Sequence, residues 1–199
     1  MSLLERIYSV LIVSSSQVLN NSVTSVLPES KCSPVIIVNS VSEAKRKLSE
    51  RQFDFVIVNT PLPDDFGTGF AIDTCSNSKG TVVLLLVKSE LYGDIYEKAA
   101  EYGVFLLEKP MSKSAFITAV NWMVSARERL RKAEIKTLSV EEKMEEIRLV
   151  NRAKWMLIDG QGMDEPSAHR YIEKQAMDRC VSKSEIALEI INKKTDKSV

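Results

Sequence analysis

Residues 81–110 read TVVLLLVKSELYGDIYEKAAEYGVFLLEKP, and this stretch decides the fold. It contains two short apolar runs, Thr81–Val87 and Val104–Leu107, which are rich in Val and Leu. Between them, Leu91–Tyr102 has its apolar residues on one helical face. A nearly continuous apolar run is typical of a strand buried on both faces of a parallel sheet. The stretch therefore predicts a strand–helix–strand unit.

The same alternation extends toward the N-terminus. Further apolar runs occupy Tyr8–Val13, Val35–Val38 and Phe55–Val58, and Val41–Arg51 has the spacing of an amphipathic helix. Five strands, each followed by a helix, predict an α/β domain with a doubly wound five-stranded parallel sheet over residues 1–112.

The second half of the chain has no strand pattern and predicts helices only. We expect a helical linker or coiled coil over 113–137, a small three-helix bundle over 138–192 and a flexible tail over 193–199. N-capping patterns indicate the three helix starts of the bundle: Ser139 with Glu142, Asp164 before Pro166, and Ser182 with Glu185.

The linker helix carries apolar residues at roughly heptad spacing, namely Ile117, Val120, Val124 and Leu130. Its outer face carries basic residues, including Arg127 and Arg131. The helix is longer than the α/β domain can cover, so the apolar residues predict dimerisation with the same helix of a second copy. The alternative is that this helix packs only on its own domain.

Composition restricts the classes of function. The chain has 27 basic and 27 acidic residues, so its net charge is +0 and any nucleic-acid binding must come from a local basic face. Its three cysteines lie far apart and form no metal-ligand spacing with histidine. No apolar stretch approaches the length of a membrane span. We expect a cytoplasmic protein with no cofactor, no metal and no membrane partner.

The first half resembles the receiver domain of response regulators. The resemblance rests on the strand order, on a strand that ends at Asn59 before Pro61-Leu62-Pro63-Asp64, and on Lys109-Pro110 after the fifth strand. It implies a phosphorylation site at the carboxyl ends of the strands. That site consists of an aspartate nucleophile, an acidic pair that helps to hold Mg²⁺, a hydroxyl residue and a lysine.

Most of these site residues are replaced in this chain. Asn59 stands at the nucleophile, Ser14 and Ser15 at the acidic pair, and Val87 at the hydroxyl position, so only Lys109 matches. A carboxamide has little nucleophilicity, and three neutral side chains are poor ligands for Mg²⁺. The resemblance therefore predicts a degenerate pseudo-receiver in which the Lys109 ammonium hydrogen-bonds Asn59 or nearby backbone. It also suggests a cis Lys109–Pro110 bond.

The C-terminal region resembles the ANTAR domain, an RNA-binding module of antiterminator regulators. The resemblance rests on RLVNRAKWMLI at 148–158, AHRYIEKQAMD at 168–178 and VSKSEIALEII at 181–191. Two positions depart from the family pattern: Asn151 stands where isoleucine is common, and Trp155 stands where many members have glycine. We expect Tyr171 to be buried in the bundle. For Trp155, burial in the bundle is favoured over the alternative of stacking on a base.

The resemblance implies an RNA-binding surface that combines cations for phosphates with polar side chains for base edges. The candidate residues are Arg148, Arg152, Lys154, Arg170, Lys174, Gln175, Arg179, Lys183 and Ser184. The alternative for each cation is an ordinary solvated surface charge.

Together the two resemblances imply a regulator that is not an enzyme. As a dimer it would bind tandem hairpin loops in an mRNA leader and stabilise an antiterminator, independently of phosphorylation. Constitutive dimerisation, a protein partner or a small ligand on the receiver domain would control it. The rival hypothesis is an adaptor whose helical domain docks a partner protein.

Overall fold

The computed structural model describes residues 6–78 and 80–195. The chain divides into two compact units, Met1–Lys132 and Ala133–Val199. Two 3₁₀ turns, Ser89–Leu91 and Ala100–Tyr102, flank the fourth helix. The elements in chain order are β1 Tyr8–Val13, α1 Gln17–Thr24, β2 Cys32–Val38, α2 Val41–Glu50, β3 Phe55–Asn59, α3 Thr68–Asn77, β4 Val82–Lys88, α4 Tyr92–Ala99, β5 Phe105–Lys109, α5 Lys113–Gln161, α6 Glu165–Arg179 and α7 Lys183–Thr195.

The first unit is built on a five-stranded parallel sheet with the strand order β2-β1-β3-β4-β5, which confirms the predicted α/β class. Successive residues of one strand enter different cores: Leu11 and Val13 join one cluster, whereas Val10 and Ile12 join the other. Because both faces of the sheet are covered, both sets of side chains must be apolar. This burial explains the continuous apolar runs in the sequence.

The start of α5 packs against the sheet of the first unit. Phe116, Ala119 and Met123 are buried there, and Val120 and Val124 are partly buried against the same cluster. Val120 and Val124, which were predicted to mediate dimerisation, therefore pack within their own unit. The side chains of the other two predicted residues are exposed and available to a second copy: Ile117 is 41% exposed and Leu130 is 40% exposed.

An ion-pair network also holds α5 to the first unit. Arg127 Nε lies 2.8 Å from Asp54 Oδ1, and Arg131 pairs with Asp54 at 3.4 Å and with Glu128 at 3.1 Å. The Tyr8 hydroxyl donates to Glu128 at 3.0 Å. Burial raises the pKa of Asp54, but hydrogen bonds from Ser9 and Arg127 outweigh it and hold that pKa below its ordinary value. Arg127 and Arg131 are thus structural cations, not free charges of an outer face.

The second unit contains the C-terminal part of α5 together with α6 and α7. The helix start predicted at Ser139 is wrong, because α5 continues unbroken through it. The other two predicted caps are confirmed: Ser167 N–H donates to Asp164 Oδ1 at 2.8 Å, and Glu185 N–H donates to Ser182 Oγ at 3.1 Å. The buried core is Val150, Ala153, Leu157, Ala168, Ile172, Ala176, Ile186, Ala187 and Ile191.

Two aromatic residues lie outside this core. Tyr171 is 39% exposed and Trp155 is 70% exposed, so the burial predicted for both is wrong. Trp155 lies two residues from both Ala153 and Leu157, and that spacing places it on the opposite side of α5 from these two buried side chains.

No helix in the described part of the chain combines the length and the apolar content that crossing a membrane requires.

Candidate functional site

Three strand ends of the first unit bring the degenerate site together. Ser14 follows β1, Asn59 ends β3 and Lys109 ends β5, so parallel pairing places all three at one edge of the sheet. Asn59 Nδ2 donates to Ser14 Oγ at 3.1 Å. Lys109 Nζ donates to Asn59 Oδ1 at 2.6 Å and to the Thr60 carbonyl at 2.5 Å. The lysine thus makes the hydrogen bonds that the sequence suggested, and the Lys109–Pro110 bond is cis.

This cluster has no carboxylate. Ser14 is fully buried and Asn59 is 7% exposed, whereas Ser15 is exposed to solvent. Val87, predicted at the hydroxyl position, is fully buried in an apolar core cluster with Val58 and Val104. Burial, helped by the nearby Lys88, holds the pKa of Lys109 below its ordinary value. The donor set therefore does not fit Mg²⁺, which favours anionic oxygen ligands.

The two aspartates of the following loop are engaged in local backbone capping. Asp64 accepts hydrogen bonds from the backbone N–H groups of Val41 and Ser42, each at 2.9 Å, and caps the start of α2. These hydrogen bonds hold the pKa of Asp64 below its ordinary value. Asp65 Oδ1 accepts the Gly67 N–H at 2.6 Å. Within residues 6–78 and 80–195, no three His, Cys, Asp or Glu side chains are grouped as metal ligands.

In the second unit, several of the predicted RNA-binding cations are held in ion pairs. The pairs are Lys154 with Glu165 at 3.0 Å, Arg179 with Glu189 at 2.7 and 2.6 Å, Lys183 with Glu173 at 2.5 Å, and Arg148 with Glu145 at 3.6 Å. The Lys183 ammonium lowers the pKa of Glu173, and the Arg179 guanidinium lowers that of Glu189. A phosphate would have to compete with these carboxylates.

Within the described residues, three predicted cations form no close ion pair, although the Arg170 guanidinium, after the hydrogen bonds from Ser167, helps to lower the pKa of Asp164. Arg152 on α5 and Arg170 and Lys174 on α6 are exposed, and none pairs with a carboxylate among the described residues. Arg170 and Lys174 lie four residues apart and share a helical face. Gln175 and Ser184 are half-buried. Among the predicted RNA-binding cations, the most available positive charge thus lies on α6 and at Arg152.

Two surface depressions meet along α5 in the second unit, and we call them together the α5 groove. One, of about 280 Å³, is lined by Asn151, Lys154, Trp155, Ile158 and Glu165. The other, of about 190 Å³, shares Asn151 and Lys154 and reaches Ile147, His169 and Lys183. The groove brings Lys154 and Lys183 together. The sequence pattern missed it because the contributing helices are separated in the chain.

Comparison with known proteins identifies the helical region. Residues 139–191 match the ANTAR domain family. The chain is 32% identical over 135 residues to the transcriptional regulatory protein PdtaR of Mycobacterium tuberculosis, in strains CDC 1551 and H37Rv. The match covers 67% of this chain, and the chain spans 65% of the length of these relatives.

Solved structures match the fold of the first unit. A signal receiver domain of an HD-domain-containing protein from Pseudomonas fluorescens aligns with a TM-score of 0.58 and 20% identity, covering 66% of this chain and 97% of that one. The beryllofluoride-activated NtrC4 receiver domain dimer aligns with a TM-score of 0.53 and 24% identity, covering 60% and 98%. The first unit therefore has the receiver fold.

Proposed function

Since the chain carries an ANTAR domain behind a domain with the receiver fold, we propose that it is an RNA-binding regulator of transcription antitermination. It binds paired hairpin loops in an mRNA leader as a homodimer, independently of phosphorylation, and it is not an enzyme. The observation that carries this proposal is the ANTAR match over 139–191, on a unit whose α6 exposes Arg170 and Lys174 without carboxylate partners among the described residues.

The predicted RNA-binding cations form two groups, which differ in whether a carboxylate is paired with them. Arg152, Arg170 and Lys174 supply charge for phosphates at no cost in broken ion pairs. Lys154 and Lys183 lie in the α5 groove beside Glu165 and Glu173, where each carboxylate neutralises part of the charge. In the α5 groove this arrangement favours contacts with loops that present unpaired bases over non-specific binding to any polyanion, because the carboxylates offset part of the cationic charge there.

Independence from phosphorylation follows from the cluster at Asn59. The Lys109 ammonium already binds Asn59 Oδ1 and the Thr60 carbonyl, and the neutral side chains of Ser14 and Asn59 are poor nucleophiles and poor ligands for Mg²⁺. The signal therefore has to act through dimerisation itself, a partner protein or a small ligand.

The dimer contact that α5 favours lies further along the helix than Val120 and Val124. Heptad spacing from the exposed Leu130 continues through five residues that we call the α5 seam: Ala133, Thr137, Val140, Met144 and Ile147. Val140, Met144 and Ile147 are 49%, 51% and 59% exposed, so their apolar surface is available to a second copy. The next heptad positions are Asn151 and Lys154, which line the α5 groove, so the apolar seam ends where the groove begins.

Charged residues beside the α5 seam favour a dimer in which the two α5 helices run parallel. The position before each pair of seam residues is basic, at Arg129, Lys136 and Lys143. The position after is acidic at Glu134 and Glu141 but basic at Arg148, so the first two pairs of positions carry the preference. In a parallel pair of helices, Lys136 of one copy faces Glu141 of the other. In an antiparallel pair the basic positions would face each other. A parallel dimer also brings the two α5 grooves to the same end, which suits two adjacent hairpins.

A binding assay on the full chain tests the proposal. A pool of synthetic RNAs, each with two adjacent hairpins and randomised loops, is expected to yield ligands whose binding weakens as salt rises. In R170A/K174A the slope of log K against log salt falls by about 1.4, from about 0.7 for each lost phosphate contact on single strands. The control K45A/R46A removes two exposed cations of α2 and leaves the slope unchanged.

Absence of any enriched RNA would refute the proposal. A stable complex with a co-purified protein that occupies the α6 face, in place of RNA, would establish the adaptor hypothesis instead.

A further inference from the structure

Trp155 is an exposed aromatic residue that the packing of the second unit does not explain. Its side chain is 70% exposed, although indole is among the largest apolar groups a protein can bury. The neighbouring residues Ala153 and Leu157 are 0% and 2% exposed, so the core of this unit closes without it. An exposed indole of this kind is available to a ligand.

The surroundings of Trp155 are polar and cationic. Arg148 and Arg152 precede it by seven and three residues and so share its helical face. Both are exposed, and Arg152 pairs with no carboxylate in the part of the chain that the structure describes. Asn151 and Lys154 line the 280 Å³ depression beside the indole. The acidic residues nearby are Glu165, which pairs with Lys154, and Asp159, four residues further along the helix.

We propose that Trp155 is a stacking platform for one unpaired base of the bound RNA. The indole face takes the base, Arg152 and Arg148 neutralise the flanking phosphates, and the Asn151 amide reaches the base edge. The inference rests on the proposed function and adds a contact residue to it. Asn151 and Trp155 are both departures from the ANTAR pattern, so the contact belongs to this chain and not to the family pattern.

The charges around Trp155 favour an RNA base over an apolar protein surface. A protein contact centred on a tryptophan is usually surrounded by apolar neighbours that exclude water. Here Ile158 is the one apolar side chain among the described residues that lines the depression beside the indole, and the other neighbours include Arg152, Lys154 and Asn151, which together match a base with its phosphates.

Because the chain has two tryptophans, the test can observe Trp155 directly. In a W122F background, Trp155 is the only indole, and its fluorescence is expected to be quenched when the selected tandem-hairpin RNA binds. W155A weakens binding of that RNA about 5- to 150-fold, the usual loss for one stacked base. W155Y keeps affinity close to that of the parent because it retains an aromatic face.

The salt series gives a second readout that a merely structural role would not produce. Stacking neutralises no phosphate, so W155A lowers affinity while the slope of log K against log salt stays unchanged. The matched control is W122A, which removes another exposed tryptophan, 59% exposed, from the first unit and leaves RNA affinity unchanged. The thermal unfolding of W155A matches that of the wild type, because the indole is not part of the core.

The outcomes separate this inference from the proposed function. If the wild type binds no RNA, the proposed function fails. If the wild type binds RNA but W155A binds equally well and Trp155 is not quenched, stacking is refuted and the proposed function stands. If W155A instead lowers the dimer fraction in sedimentation without changing RNA affinity, Trp155 is a protein contact and the inference is overturned.

Discussion

Reversing the charge of Lys136 tests the parallel α5 seam most directly. Lys136 and Glu141 are both exposed, and five residues on one helix is not a spacing at which side chains face each other. Their interaction is therefore expected only between copies. In a parallel dimer the two-fold axis generates the Lys136–Glu141 contact twice, so K136E converts two attractive pairs into two repulsive ones.

The expected magnitude is modest and measurable. An exposed ion pair of this type contributes about 0.3–0.5 kcal/mol, and a like-charge pair costs a similar amount. Across both pairs, K136E destabilises the dimer by about 1–2 kcal/mol, which corresponds to a roughly 5- to 30-fold higher dissociation constant. E141K has the same effect for the same reason. Salt at about 1 M removes most of the difference in dissociation constant between K136E and the wild type. At that concentration the Debye length is about 3 Å, so exposed charges further apart than this are largely screened.

Sedimentation equilibrium over a range of protein concentrations measures these constants. The double variant K136E/E141K restores the attractive pairs with their signs exchanged, so its dissociation constant returns to the wild-type value. An equimolar mixture of K136E and E141K chains forms a mixed dimer as stable as the wild type, because both of its pairs are attractive. A wild type that stays monomeric at every concentration, or a K136E dimer that is tighter than the wild type, refutes the parallel seam.

Two further predictions concern the first unit. D54N removes the charge that binds Arg127 and Arg131, and it lowers the free energy of unfolding by about 1–3 kcal/mol near neutral pH, measured by urea denaturation. The folded-state pKa of Asp54 is lowered, so its contribution is present above the unfolded-state pKa of about 3.9 and disappears as pH falls through the folded-state value. Wild type and D54N therefore converge in acid; a constant difference down to that range contradicts the ion-pair explanation. Acetyl phosphate with Mg²⁺ leaves the intact mass of both the wild type and N59D unchanged, because Ser14 and Ser15 supply no carboxylate; a stable phosphoryl adduct on the wild type overturns independence from phosphorylation.

The fold was readable from the sequence because its signals are local. The runs at Tyr8–Val13 and Thr81–Val87 are apolar without interruption, as strands covered on both faces must be, and the five strands occur where such runs predict them. The caps at Asp164 and Ser182 are equally local, since a side-chain oxygen binds a backbone N–H three residues away.

The capping pattern at Ser139 gave a wrong prediction of a helix start. A residue can cap a helix only where the chain before it is not helical. Between Ile135 and Ser139 there is no glycine or proline, so α5 has no reason to stop and Ser139 remains inside it. The exposure of Trp155 and Tyr171 was missed for a different reason. Helical spacing shows which apolar residues lie on the same face of a helix. How many of those residues a small bundle buries depends on how its helices pack.

The sequence by itself determined which chemistry the strand ends lack, since Ser14, Asn59 and Val87 identify three of the missing groups by residue type alone. The resemblance to a receiver domain also implied a hydrogen bond from Lys109 to Asn59 or nearby backbone, and the structure has both. Tertiary structure alone decided which cations remain available. Arg127 binds Asp54 from 73 residues away and Lys183 binds Glu173 from ten residues away, whereas Arg170 and Lys174 have no carboxylate partner among the described residues. The charge of a residue follows from its type, which the sequence states. The partner that neutralises that charge depends on distances that exist only after the chain has folded.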